Sequence, residues 1–206
     1  INLLFDYYQN YPKILVGKDP YPTSNRIINT VKFILKYRID QKLILKGVKE
    51  DAERLCANIE YHILGNHILE NGFALLFASC LFKSSKFAKI SKEILFSELD
   101  EQILDDGGHF ELSPMYHIHI LNRLLDCIYL IKKNSLTDYN KLLNFLIVKS
   151  SVMVSWLRNI IFSNGDFPLL NDSSKGIYFK PKTILDYAKE MSINEKKIEL
   201  SDSGYR

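Results

Sequence analysis

All five histidines of the 206-residue chain fall between His62 and His119, and three of them sit in two strings rich in polar side chains. The first string is Gly65-Asn66-His67-Ile68-Leu69-Glu70-Asn71. The second is Asp106-Gly107-Gly108-His109-Phe110-Glu111-Leu112-Ser113-Pro114-Met115-Tyr116-His117. Asn, His, Glu and Tyr are the side chains that donate to anions and carry protons, so the two strings read as parts of one polar site and the remainder as scaffold. A metal centre built from His67, Glu70, His109 and His117 is the other use of such types. No close pair of the His-Glu-x-x-His kind supports it, and the reading here is no metal.

Helical periodicity must position these residues. Ile27, Ile28, Val31, Ile34 and Leu35 give one apolar face from about Ser24 to Tyr37, after a loop expected over Pro20-Tyr21-Pro22-Thr23-Ser24. Ala52, Leu55, Cys56, Ile59 and Ile63 do the same from about Val48 to Leu64. Asn66 is placed as the N-cap of a buried helix over Ile68 to Leu81, and a further helix is expected from Phe87 to Leu104, with Gly107-Gly108 as its stop. Ser113 as N-cap and Pro114 at the first helical position start the next, which puts Tyr116 in a first turn. Thr137 to Phe162 and Lys182 to Met191 complete seven helices, joined by short links. The class is all-α, as antiparallel helical hairpins.

Composition narrows the classes. A hydrophobic content of 47% and a charged content of 25% fit an ordinary globular body. The net charge of +3 is spread along the chain, which gives no nucleic-acid footprint and remains compatible with an acidic polysaccharide. No apolar run reaches the roughly 18 residues that cross a bilayer, so no membrane span is expected. Cys56, Cys80 and Cys127 read as buried thiols.

The two strings, together with Pro168-Leu169-x-Asn171-Asp172-Ser173, resemble the heparinase II/III-like polysaccharide lyases, in the same order along the chain. Pro20-Tyr21-Pro22 with Ser24 and Arg26, and Glu60-Tyr61-His62, extend the resemblance over nearly the whole sequence. It implies an α/α toroid over 1–197, incomplete at its start, followed at 198–206 by the first residues of a β-sandwich domain that lies beyond this chain. That missing domain carries a second catalytic histidine and, in some members, a structural metal; no cofactor is implied for the chain itself. A periplasmic or secreted location follows from the substrate.

The implied chemistry is β-elimination from a uronic acid. Asn66 and His67 would neutralise the substrate carboxylate, and Tyr116 would act as base, acid or both. The helix N-terminus and the neighbouring His109 and His117 are expected to lower the Tyr116 pKa. Glu70, Glu111, His109, His117 and Arg26 are expected to contact substrate or support these three, Glu70 by orienting the His67 ring. Leu112 stands where the family usually has arginine, which removes one charge. The alternative is a non-catalytic module of the same fold that binds acidic glycans.

Overall fold

The computed structural model describes residues 1–63 and 65–204, so Leu64, at the end of one expected helix, and Tyr205 and Arg206, in the expected strand, lie outside the described residues. The described residues hold eight α-helices and no strand. They form two compact units, Ile1–Leu95 and Phe96–Arg206, which are taken in turn.

In the first unit, α1 (Asn2–Asn10) is a helix that the sequence pattern did not mark. It docks on α3 (Lys42–Ala57) through Tyr8, whose ring lies where a Cβ on Gly47 would be, so a side chain at 47 would displace the tyrosine. Helix α2 (Pro20–Tyr37) starts earlier than expected, because the Pro20-Tyr21-Pro22 stretch is its first turn instead of a loop. First-turn N–H groups have no acceptor within the helix, so prolines there give up no hydrogen bond. Ile27, Ile28, Val31 and Ile34 of α2 pack with Ile44, Val48, Ala52 and Leu55 of α3 as the core of this unit.

Helix α3 begins before the expected Val48 and stops at Ala57. Asn58 ends it by donating from Nδ2 to the Arg54 carbonyl at 2.9 Å. Ile59 and Ile63 therefore fall outside the helix, and Ile63 is exposed. Helix α4 (Gly65–Phe82) includes Gly65, whose φ of 58° suits glycine at the entry, so Asn66 occupies the first turn and is not the cap before it. Its residues from Ile68 to Ser79 are buried on every side, as expected from an apolar helix with no polar face.

Helix α5 (Ser85–Gln102) crosses from the first unit into the second. It ends before the expected Leu104, because Ile103 leaves it to pair with His109 in an isolated antiparallel bridge. The Leu104 N–H donates to Gly108 O and the Gly107 N–H to Leu104 O, each at 2.9 Å, which makes Gly107-Gly108 a tight turn instead of a helix stop.

Helix α6 (Pro114–Lys133) has the expected start: the Ser113 Oγ accepts from the Tyr116 N–H and Pro114 is its first residue. It packs on α7 (Asn140–Ile160) and α8 (Pro181–Glu190) around Ile118, Leu121, Leu125, Leu146, Trp156, Leu157 and Ile184. Helix α7 is shorter than expected at both ends, with a 3-10 turn at Thr137–Tyr139 and an extended Ile161. Cys127 is buried, whereas Cys56 and Cys80 are only half-buried, and none is in a disulfide. No helix of the described residues is long and apolar enough to cross a membrane.

Candidate functional site

Two groups of polar residues stand out, one in each unit. In the first, a buried chain of hydrogen bonds ends at His67. Ser24 of α2 and Asn71 of α4 are fully buried, and Asn71 Nδ2 donates to Ser24 Oγ at 3.1 Å. Asn71 also grips Glu60 twice. Its Nδ2 donates to Glu60 Oε2 at 3.1 Å, and its Oδ1 accepts from the Glu60 N–H at 3.0 Å.

The other carboxylate oxygen of Glu60 meets His67 Nδ1 at 3.2 Å. The Tyr21 ring covers the imidazole, with centroids 4.5 Å apart and planes at 32°. His67 is 37% exposed at its side chain, and Asn66 beside it is half-buried. Both lie in the first turn of α4, where N–H groups without helical acceptors favour an anion.

Two sequence-based expectations change here. The carboxylate on the His67 ring is that of Glu60, not Glu70, which is fully buried and so does not meet a polymer in solution. Arg26 is committed elsewhere. Its Nε and Nη2 hold the buried Asp51 carboxylate at 2.8 and 2.9 Å, its Nη1 donates to the Gly17 carbonyl, and its guanidinium lies 5.0 Å from the Tyr7 ring centroid. Tyr8 OH and Arg54 also bond Asp51, so Arg26 is a structural clamp in the interior of this unit.

In the second unit the half-buried Tyr116 sits in the first turn of α6. The segment 171–174 holds that turn in place. Asn171 Nδ2 donates to the carbonyls of Glu111 and Leu112 at 3.1 and 2.9 Å. Ser173 Oγ lies 2.9 Å from Ser113 Oγ and accepts from the Met115 N–H. The Asn171-Asp172-Ser173 string is thus a strap across the start of the helix that carries Tyr116. Leu112 has a φ of 52°, an uncommon conformation for a bulky residue, which these two Asn171 bonds help to hold.

The electrostatics around Tyr116 are opposite to the sequence-based expectation. Partial burial, and then the negative charges of Asp172 and Glu111, raise its pKa. His109 and His117 cannot oppose them. Both are fully buried, His109 Nε2 against Gln102 Oε1 at 3.3 Å and His117 Nε2 against the Met153 carbonyl at 3.0 Å, with the His117 ring on Trp156. They belong to the interior of the unit, as does His119, stacked on Tyr178.

The two interior histidines make an acid-sensitive core. Burial pushes His109 down to about 4, helped by His119, and His117 down to about 3, where His109 adds to the burial and the Met153 carbonyl and Asp106 oppose it. Depressed folded-state values mean that the unfolded chain binds protons first as pH falls below 6.5. Stability is therefore complete above pH 6.5 and is lost on the way down to about 4 and 3. The pair is expected to contribute a slope of about 2 to 3 kcal/mol per pH unit between pH 6 and 4, at roughly 1.4 per proton. Urea unfolding across that range checks this, and His117→Phe should remove about half of the slope; an unchanged slope would exclude His117.

Gly107 and Gly108 bring this turn against α7. A Cβ on Gly107, at φ 87°, would stand 2.3 Å from the Val152 carbonyl oxygen. Asp106 beside them is buried, and its carboxylate accepts from the Gly108 N–H at 2.9 Å, the Ser203 N–H at 2.7 Å, the Ser203 hydroxyl at 2.6 Å and the Asp202 N–H at 3.1 Å. Trp156 Nε1 donates to the same Ser203 Oγ at 2.9 Å. Much of the second string is therefore structural.

Glu60, Asn71 and Ser24 stand in the strings that carry the resemblance, but residue type and spacing assign none of them a role at the site. Glu60 precedes His67 by seven positions across a break between helices, so no helical spacing joins them. Among the described residues, no three His, Cys, Asp or Glu side chains come together as a metal site.

Helical architecture and ordered motifs together define the class. The profile of the family described as Heparinase II/III N-terminus matches residues 28–196, and the chain belongs to that family. It is 35% identical over 66 residues to a heparin-sulfate lyase of Bacteroides stercoris, covering 30% of this chain and 10% of that protein. Among solved structures, a heparan sulfate lyase of Pedobacter heparinus is similar over 72% of this chain and 24% of its own, with 21% identity and a TM-score of 0.57. A heparinase III structure is similar over 71% of this chain and 23% of its own, at 23% identity and a TM-score of 0.61. A further heparinase III gene product reaches 0.62 over 89% of this chain and 31% of its own, at 20% identity. The chain thus spans a tenth of that curated relative and no more than 31% of these structures.

Proposed function

We propose that the chain is part of the helical catalytic domain of a polysaccharide lyase that cleaves a uronic-acid-containing polysaccharide by β-elimination, in the whole protein, outside the cytoplasm in the periplasm or as a secreted enzyme. Family membership and the lyase relatives support the class. One observation carries the assignment of residues. Asn66 and His67, and separately Tyr116, occupy first turns of long helices with their side chains partly open to solvent.

In this reading the Asn66 amide donates to the uronate carboxylate and reduces its charge, so that negative charge can build up next to C5 when its proton leaves, and His67 meets the same sugar beside it. The C5–H bond breaks and its proton passes to a base, the C4–C5 double bond forms, and the C4–O4 bond breaks. The departing oxygen takes a proton from an acid. Tyr116, kept protonated by partial burial and then by Asp172 and Glu111, suits the acid role.

The test is an elimination assay with the full-length protein on a panel of uronate polymers, following the absorbance of the unsaturated product. Product from at least one polymer is expected. Binding without product on every polymer would favour the glycan-binding module. Neither binding nor product would overturn both.

A further inference from the structure

We infer that Glu60 is a positioning residue that sets the tautomer and orientation of His67. The geometry leaves the carboxylate little freedom. Glu60 is only 6% exposed at its side chain, its backbone N–H is held by Asn71 Oδ1, and one carboxylate oxygen is taken by Asn71 Nδ2. Asn71 is itself fixed by the buried Ser24 hydroxyl. The remaining oxygen, Oε1, faces His67 Nδ1 at 3.2 Å.

A carboxylate can only accept, so Nδ1 must carry the proton in this contact. The neutral imidazole is then the Nδ1–H tautomer, with the lone pair on Nε2, the ring nitrogen that Glu60 does not engage. Tyr21 against the ring fixes its plane while Glu60 prevents it from flipping over. The outcome is one ring orientation presented at the first turn of α4. The same contact as plain packing would not dictate which nitrogen carries the proton.

Glu60→Gln separates the two. Asn71 Nδ2 needs an acceptor, so it takes the new amide oxygen, and the amide nitrogen is turned toward His67. Nδ1 must then accept, and the ring is driven to the Nε2–H tautomer. Long-range proton–nitrogen correlation spectra of the neutral His67 ring read this directly.

The wild type should favour Nδ1–H by about tenfold or more, as a hydrogen bond to a charged group supports. Glu60→Gln should reverse the preference, and Glu60→Asp should retain it. An Nε2–H ring in the wild type, or the same tautomer ratio in wild type and Glu60→Gln, would overturn the inference whatever becomes of the variant's stability.

The catalytic importance of this device rests on the proposed lyase reading, and a second measurement keeps the two apart. In the elimination assay Glu60→Gln should lower kcat by about tenfold or more, as loss of an orienting partner does elsewhere. A reversed tautomer with unchanged kcat would uphold the Glu60 contact and remove His67 from the proposed chemistry.

Discussion

Tyr116→Phe in the full-length protein is expected to lower kcat/KM for uronate elimination by about 10²- to 10⁴-fold, the usual contribution of a positioned proton-transfer group. The substitution deletes one oxygen and keeps the ring, so the strap from Asn171 and Ser173 to the start of α6 stays in place, since it binds backbone and Ser113 atoms only. A loss of stability is not needed to explain the effect. Retention of more than about a tenth of the activity would remove the phenol from the proton pathway.

The neighbours of Tyr116 give a second, independent readout. Because Asp172 and Glu111 raise its pKa, Asp172→Asn should bring that pKa down. If the phenolate is the base, the alkaline rise of kcat/KM moves to lower pH. If the phenol is the acid, the alkaline fall moves to lower pH. Either shift supports Tyr116, and the direction of the limb says which proton it handles.

Asp106→Ala is expected to destabilise the second unit by about 3 to 5 kcal/mol, the range for removing one side of a buried charged contact. The carboxylate accepts from three backbone N–H groups and one hydroxyl in the interior, and alanine would leave all four without that acceptor. On a total stability of roughly 5 to 15 kcal/mol such a loss is large. Urea unfolding measures it, and the single tryptophan is a local probe, because Trp156 bonds the same Ser203 hydroxyl. A cost below about 1 kcal/mol would mean that water replaces the carboxylate without difficulty.

Long apolar stripes made the helices legible, because burial of one face imposes its period on the sequence. Ends were less legible where they depend on particular atoms. Pro20 and Pro22 read as a loop when considered residue by residue, yet a first turn accepts them both. Asn58 stops α3 with a side-chain bond that no periodicity announces. Tyr8 against Gly47 explains α1, and that contact joins positions far apart in sequence.

The candidate site divided in the same way. Asn66, His67 and Tyr116 were named because the short strings that hold them resemble the lyase family; residue type and helix position alone left a cap and a core tyrosine open as readings. Spacing then misassigned the partner of His67, since Glu70 is three residues away on the helix whereas Glu60 arrives from the preceding loop. His117 sits next to Tyr116 in sequence, but the helical rotation between 116 and 117 leaves one half-exposed and sends the other into the core.

The Asp106–Ser203 contact also constrains the order in which the second unit can be completed. Donor and acceptor are 97 positions apart, so during synthesis the carboxylate leaves the ribosome long before the groups that will satisfy it. Until then it remains hydrated, and the turn at Gly107-Gly108 cannot be sealed against Trp156 and Ser203. Closing so long a loop places this docking late in folding, after α6 and α7 have paired through shorter-range contacts. Contacts formed late slow unfolding more than they speed folding, so the clamp acts chiefly as a brake on opening.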